Sequence, residues 1–145
     1  MIGEYHKWLI FQDDWKKVRN FSLTALDFPY QDYRKGQREL AVAAYKTLRT
    51  NQQLFVEAPT GIGKTMSTLY PALKALGEDR ADRIFYLTAK TITRQVAEDA
   101  LSALNKNNAE VKSVTLTAKD KICFLDETTC NPDDCPYANG YYNRI

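Results

Sequence analysis

The sequence predicts an α/β domain built on a parallel sheet, and three observations lead there. Four extended-type residues, Leu54-Phe55-Val56-Glu57, run into a glycine-bearing loop that closes on Gly63-Lys64-Thr65. Downstream, apolar runs of strand character alternate with stretches of helical period, the order that a parallel sheet with crossover helices requires. A length of 145 residues suffices for one domain with a real core and is short for two.

Each element has its own warrant. From Glu4 to about Asn20, Trp8, Phe11, Trp15 and Val18 recur at spacings of three and four, so an amphipathic helix that covers the core is expected. Asp27 to Gln37 reads as an aromatic loop broken by Pro29 and Gly36. A helix follows from Gln37 to about Thr50, with Leu40, Ala41, Ala44, Tyr45 and Leu48 on one face. Lys64 to Leu76 is the next, with Leu69, Leu73 and Leu76 as core contacts and Gly77 as its stop. Pro71 inside it should produce a kink, because proline has no N–H to donate. Ile84-Phe85-Tyr86-Leu87 reads as a buried strand. Thr91 to Leu104 is a helix carried by Ile92, Val96, Ala100, Leu101 and Leu104, and Val111 to Thr117 is a third strand. Right-handed crossovers would bring the glycine loop, residues 88–91 and residues 117–119 to one edge of the sheet.

Composition narrows the class without naming it. The 44% hydrophobic and 26% charged fractions are those of a globular chain, and a net charge of +2 provides no basic field to select a partner. No apolar run approaches the roughly eighteen residues that a membrane span needs, so no membrane partner is expected and a cytoplasmic location is. Without an export signal, three cysteines read as metal ligands or buried thiols rather than as a disulfide framework.

The chemistry centres on Ala58-Pro59-Thr60-Gly61-Ile62-Gly63-Lys64-Thr65, which has the form of a phosphate-binding loop. Thr60, Gly61, Ile62 and Gly63 would turn backbone N–H groups around a triphosphate, at the positive end of the helix that follows. Lys64 would reach the β and γ phosphates, and Thr65 would offer its hydroxyl to magnesium. Ala58 stands where the first glycine is usually written. Upstream, Gln37 follows an aromatic loop, where a side-chain amide can make two complementary hydrogen bonds to an adenine edge, so the nucleotide is expected to be ATP. Lys90 and Thr91, beside a helix start, are of a composition suited to holding a nucleic-acid backbone, although Thr91 could equally cap its helix.

Cys123, Cys130 and Cys135 are spaced Cys-x6-Cys-x4-Cys in a stretch with Pro132, Pro136 and Gly140. Such a loop has too few regular apolar positions for a core, and a metal cross-link would account for its thiols, with a fourth ligand still to find. Within it, Ile122-Cys123-Phe124-Leu125-Asp126-Glu127 offers a competing reading, an apolar strand ending in a carboxylate pair of the Walker B type. The short apolar run, the lysines before it and the lack of a preceding helix weigh against that alternative.

With these segments placed, the chain resembles the iron-sulfur helicases of the XPD/DinG family, within superfamily 2. The residues that carry the resemblance are Phe28-Pro29-Tyr30 and Tyr33-Arg34-x-Gly36-Gln37 as an adenine-recognising motif, Ala58 to Thr65 as motif I, Tyr86 to Thr91 as motif Ia, and Lys119-x-Lys121-Ile122-Cys123 as the entry to a cluster domain. The resemblance implies a P-loop NTPase: an incomplete RecA-like first motor domain, followed by the start of a cysteine-rich insertion. It implies that Cys123, Cys130 and Cys135 are three of four ligands to a 4Fe-4S cluster, that Lys119 meets DNA beside it, and that the partners are single-stranded DNA or a forked duplex. On this reading residues 1–27 are an amino-terminal helix and linker, 28–118 a partial motor domain, and 119–145 the beginning of a truncated cluster domain. The chain would then be the amino-terminal piece of a longer helicase, inactive alone and completed by the remaining domains of its parent. The alternative is a non-catalytic nucleotide- and metal-binding module that touches DNA; a small kinase would need an arginine-rich lid that is not visible.

Overall fold

The computed structural model describes residues 2–144, apart from the side chains of residues 91, 120, 142 and 144. It divides into two compact units, Met1–Val111 and Lys112–Ile145. The first unit holds four helices, α1 (Ile2–Ala25), α2 (Gln37–Arg49), α3 (Lys64–Gly77) and α4 (Thr91–Lys106). Among its described residues the second holds a 3-10 turn, Lys119–Lys121, and a short helix α5, Tyr141–Arg144.

The expected parallel sheet does not form. Among the described residues there is no strand, and the three anticipated ones, residues 54–57, 84–87 and 111–117, follow irregular paths. A strand exists only when its N–H and C=O groups pair with a neighbour, and a parallel strand is stable only with both faces covered. The second condition is not met here: Phe55 is 89% exposed, Leu87 88% and Leu116 87%. The apolar character was real, but the burial it implied is supplied by helices packing on one another.

Helix α3 is the centre of that packing, in contact with α1, α2 and α4. Its Met66, Leu69, Leu73 and Leu76 form one core with Leu23 and Leu26, and with Ala97, Ala100, Leu104 and Ala109 from α4 and the turn after it. The periodicity of α3 predicted this face, and α2 likewise buries Leu40, Ala41 and Ala44. In α4 the buried face is shifted: Ala97, Ala100 and Leu104 point inward, whereas Ile92 and Val96 are exposed. The two small alanines allow the close approach that bulkier residues at those positions would block.

Helix α1 departs further from expectation. Trp8, Phe11 and Val18 are each more than half exposed, and the helix is anchored through its last turn, where Leu23 is fully buried. Three features of α3 hold that turn. Lys74 Nζ donates to the carbonyls of Thr24 at 2.6 Å and Leu26 at 3.0 Å. Tyr70 Oη donates to Leu26 O at 3.2 Å, so carbonyls left over at the end of α1 acquire partners. Gly77 makes the approach possible, because a Cβ there would lie 2.7 Å from Leu23 Cβ and 3.0 Å from the backbone nitrogen of Thr24. Helix α3 continues through Pro71, which is buried.

Candidate nucleotide-binding site

The glycine loop delivers its residues to the amino end of α3. Gly61 and Gly63 lie in the left-handed region, with φ of 82° and 88°, and Gly63 is the N-cap residue of the helix. No side chain caps that end. The first-turn N–H groups therefore keep their capacity for an anion, and the helix dipole adds to the attraction. Gly63 has a second constraint: a Cβ there would fall 2.3 Å from Gln37 Nε2. Lys64 opens the helix, its ammonium hydrogen-bonded to the carbonyls of Ala58 at 3.0 Å and Pro59 at 2.8 Å. Thr65 is half-buried, and its hydroxyl lies 3.4 Å from the phenolic oxygen of Tyr86.

Gln37 is the residue that joins the aromatic loop to this site. It is only 3% exposed. Its Oε1 accepts from the Arg34 backbone N–H at 2.9 Å, and its Nε2 makes a long contact of 3.5 Å to the Gly63 carbonyl. An amide has two donors and two acceptor lone pairs, so one of each is left after these contacts. Arg34 adds a second link, its guanidinium donating to Gly61 O at 2.6 Å. Behind Gln37, Phe28 stacks on Tyr33 with centroids 3.9 Å apart and meets Tyr30 and Tyr70 edge-on.

Between these groups lies a cavity of about 380 Å³, lined by Tyr30, Arg34, Gln37, Gly63 and Thr65 on one side and by Val96 and Asp99 of α4 on the other. The lining offers an aromatic ring, an amide with spare valences, an arginine, a hydroxyl and a helix amino end, beside the carboxylates of Asp32 and Asp99, while Lys64 stands in the adjoining loop on the carbonyls of Ala58 and Pro59. The chain's residues thus fit ATP and magnesium. The structure gathers Gln37, Gly61, Gly63 and Thr65, as the sequence grouped them, with Lys64 in the same loop. Arg34, Val96 and Asp99 carried no assigned role in the sequence. For Arg34 a signal existed in its position three residues before Gln37; for the α4 pair it could come only from the fold.

The other candidates stand elsewhere. Lys90 is the exposed N-cap residue of α4, and Thr88 Oγ1 contacts its carbonyl at 3.3 Å and its N–H at 3.4 Å. The Thr91 side chain lies outside the described residues. Lys119 begins the 3-10 turn of the second unit. There, Cys123 and Cys130 are half-buried and Cys135 is buried, all three as free thiols. Among the described residues no three metal-binding side chains converge, so the thiols as arranged do not fit a cluster. No helix among those residues is long and apolar enough to cross a membrane.

The amino end of α3 and the buried amide of Gln37 thus border one cavity. The DEAD/DEAH box helicase family model matches residues 37–129, more than half of the chain, and the chain belongs to that family. A protein of Methanocaldococcus jannaschii named "Probable ATP-dependent helicase" is 42% identical over 82 residues, which cover 55% of this chain and 12% of that protein. The chain thus spans a small part of the length of the relative it matches. No solved structure matches it.

Proposed function

We propose that this chain is the ATP-binding portion of an iron-sulfur DNA helicase of the XPD/DinG type. The observation that carries the reading is the junction of Gln37 with the glycine loop, where one buried amide touches both Arg34 and Gly63 at the mouth of the cavity. In the proposed assignment Gln37 reads adenine and the backbone around Thr60 to Gly63 surrounds the phosphates. Lys64 leaves its carbonyl partners for the β and γ phosphates. Thr65 holds magnesium, which supplies charge neutralisation for phosphoryl transfer. Residues 28–118 form part of the first motor domain, preceded by a helix and linker over 1–27. Lys90, Thr91 and Lys119 meet single-stranded or forked DNA. Turnover in such a motor also needs catalytic carboxylates and a transition-state arginine besides the groups of this site.

The iron-sulfur part of the proposal rests on the spacing of Cys123, Cys130 and Cys135 and on the family resemblance. It places residues 119–145 at the start of a cluster domain, and no step of the mechanism passes through the cluster. The test is DNA-stimulated ATP hydrolysis by the protein, wild type beside Lys64→Ala. Lys64→Ala should reduce the stimulated rate to background, and retained turnover would remove the phosphate-site assignment.

A further inference from the structure

We infer that Tyr86 is a positioning residue that couples the nucleic-acid loop at residues 88–91 to the magnesium hydroxyl of Thr65, an inference that rests on the reading just given. The phenolic oxygen of Tyr86 lies 3.4 Å from Thr65 Oγ1. That is long for a contact between hydroxyls, which settle near 2.7–2.8 Å, so the pair can tighten or separate with a small displacement of either chain segment.

The chemistry of the pair gives it a direction. A threonine hydroxyl has one proton and two lone pairs. To hold a cation it must turn a lone pair toward the metal, and its proton must then point to an acceptor on the other side. Tyr86 Oη is such an acceptor. When the two oxygens approach, Thr65 donates to the phenol and its free lone pair is aimed by that bond; when they part, the hydroxyl rotates.

The tether supplies the coupling. Tyr86 is two residues from Thr88 and four from Lys90, a backbone span of at most about 7 Å to the first. Thr88 Oγ1 contacts both the N–H and the carbonyl of Lys90, which ties these two residues together. A nucleic-acid backbone held at Thr88 and Lys90 therefore pulls on the same short stretch that carries the phenol. Tyr86 is 38% exposed, so its ring is not locked in the core.

The test uses the chain itself, as wild type and as Tyr86→Phe, which keeps the ring and removes the hydroxyl. Binding of a fluorescent ATP analogue is titrated against magnesium, with and without a 15-mer of deoxythymidine. For wild type, the oligonucleotide should lower the magnesium concentration needed for half-maximal binding. For Tyr86→Phe, metal-free nucleotide binding, oligonucleotide affinity and melting temperature should be unchanged. The magnesium requirement should rise about three- to tenfold, the range one neutral hydrogen bond supplies, and should no longer respond to the oligonucleotide. A variant that keeps the wild-type magnesium curve and its response would overturn the role of Tyr86 while leaving the phosphate site standing. A wild-type chain that binds no nucleotide would overturn both.

Discussion

At Gln37, one side chain carries two duties. Its amide is nearly sealed from solvent and spans the aromatic loop and the glycine loop, while one donor and one acceptor remain for a ligand. Gln37→Leu keeps the volume and removes both polar ends. The Gly63 carbonyl and Arg34 N–H would lose their partner, at a cost of about 1–3 kcal/mol if they stay buried. Expected outcomes are a lower melting temperature by calorimetry and a loss of preference for ATP over GTP in competition binding. Unchanged preference would show that the base is read by other groups of the cavity. Gln37 was legible in the sequence because its neighbours form a motif, and Gly63 because its loop does. The contact between them was not, since a 3.5 Å approach between residues twenty-six apart depends on how α2 lies against α3.

Among the elements, α3 decides the rest. Gly77 is where α1 and α3 come closest, and alanine there must push on Leu23 and on the Thr24 backbone at once. Gly77→Ala should destabilise the fold by about 1–3 kcal/mol, read from chemical denaturation, even though alanine favours helix by itself. A more stable variant would mean that α1 can move away at no cost. The same end of α3 is held by charge. Asp79 accepts from Asn20 Nδ2 at 2.9 Å and pairs with Lys16 at 3.1 Å. The Asn20 hydrogen bond, then that to Lys16, keeps the Asp79 carboxyl below its ordinary range. A lowered folded-state pKa stabilises the fold above the unfolded value of about 4, and that contribution fades as pH falls through the lower folded value. Asp79→Asn should therefore lower the melting temperature modestly at neutrality, and the gap to wild type should close as pH falls below about 4. The helices themselves were legible because α2 and α3 show a clean period. The sheet was misjudged because short apolar runs such as Ile84 to Leu87 do not reveal whether a neighbour will pair with them.

For the whole molecule, family and fold contribute different things. Membership of the DEAD/DEAH box helicases rests on residues 37–129, which extend from α2 into the second unit. The iron-sulfur proposal concerns that unit alone. Purified without oxygen, the protein should carry about four irons per chain if Cys123, Cys130 and Cys135, with a fourth ligand, hold a 4Fe-4S cluster. Stoichiometric zinc, or no metal, would contradict the assignment.

The central claim is that Lys64 and its loop bind the triphosphate of ATP with magnesium. The most direct measurement is calorimetric titration of this chain with magnesium-ATP, beside Lys64→Ala. Saturable one-to-one binding that requires magnesium and is lost in the variant is the predicted result. Equal binding by the two proteins, or none by the wild type, would contradict it.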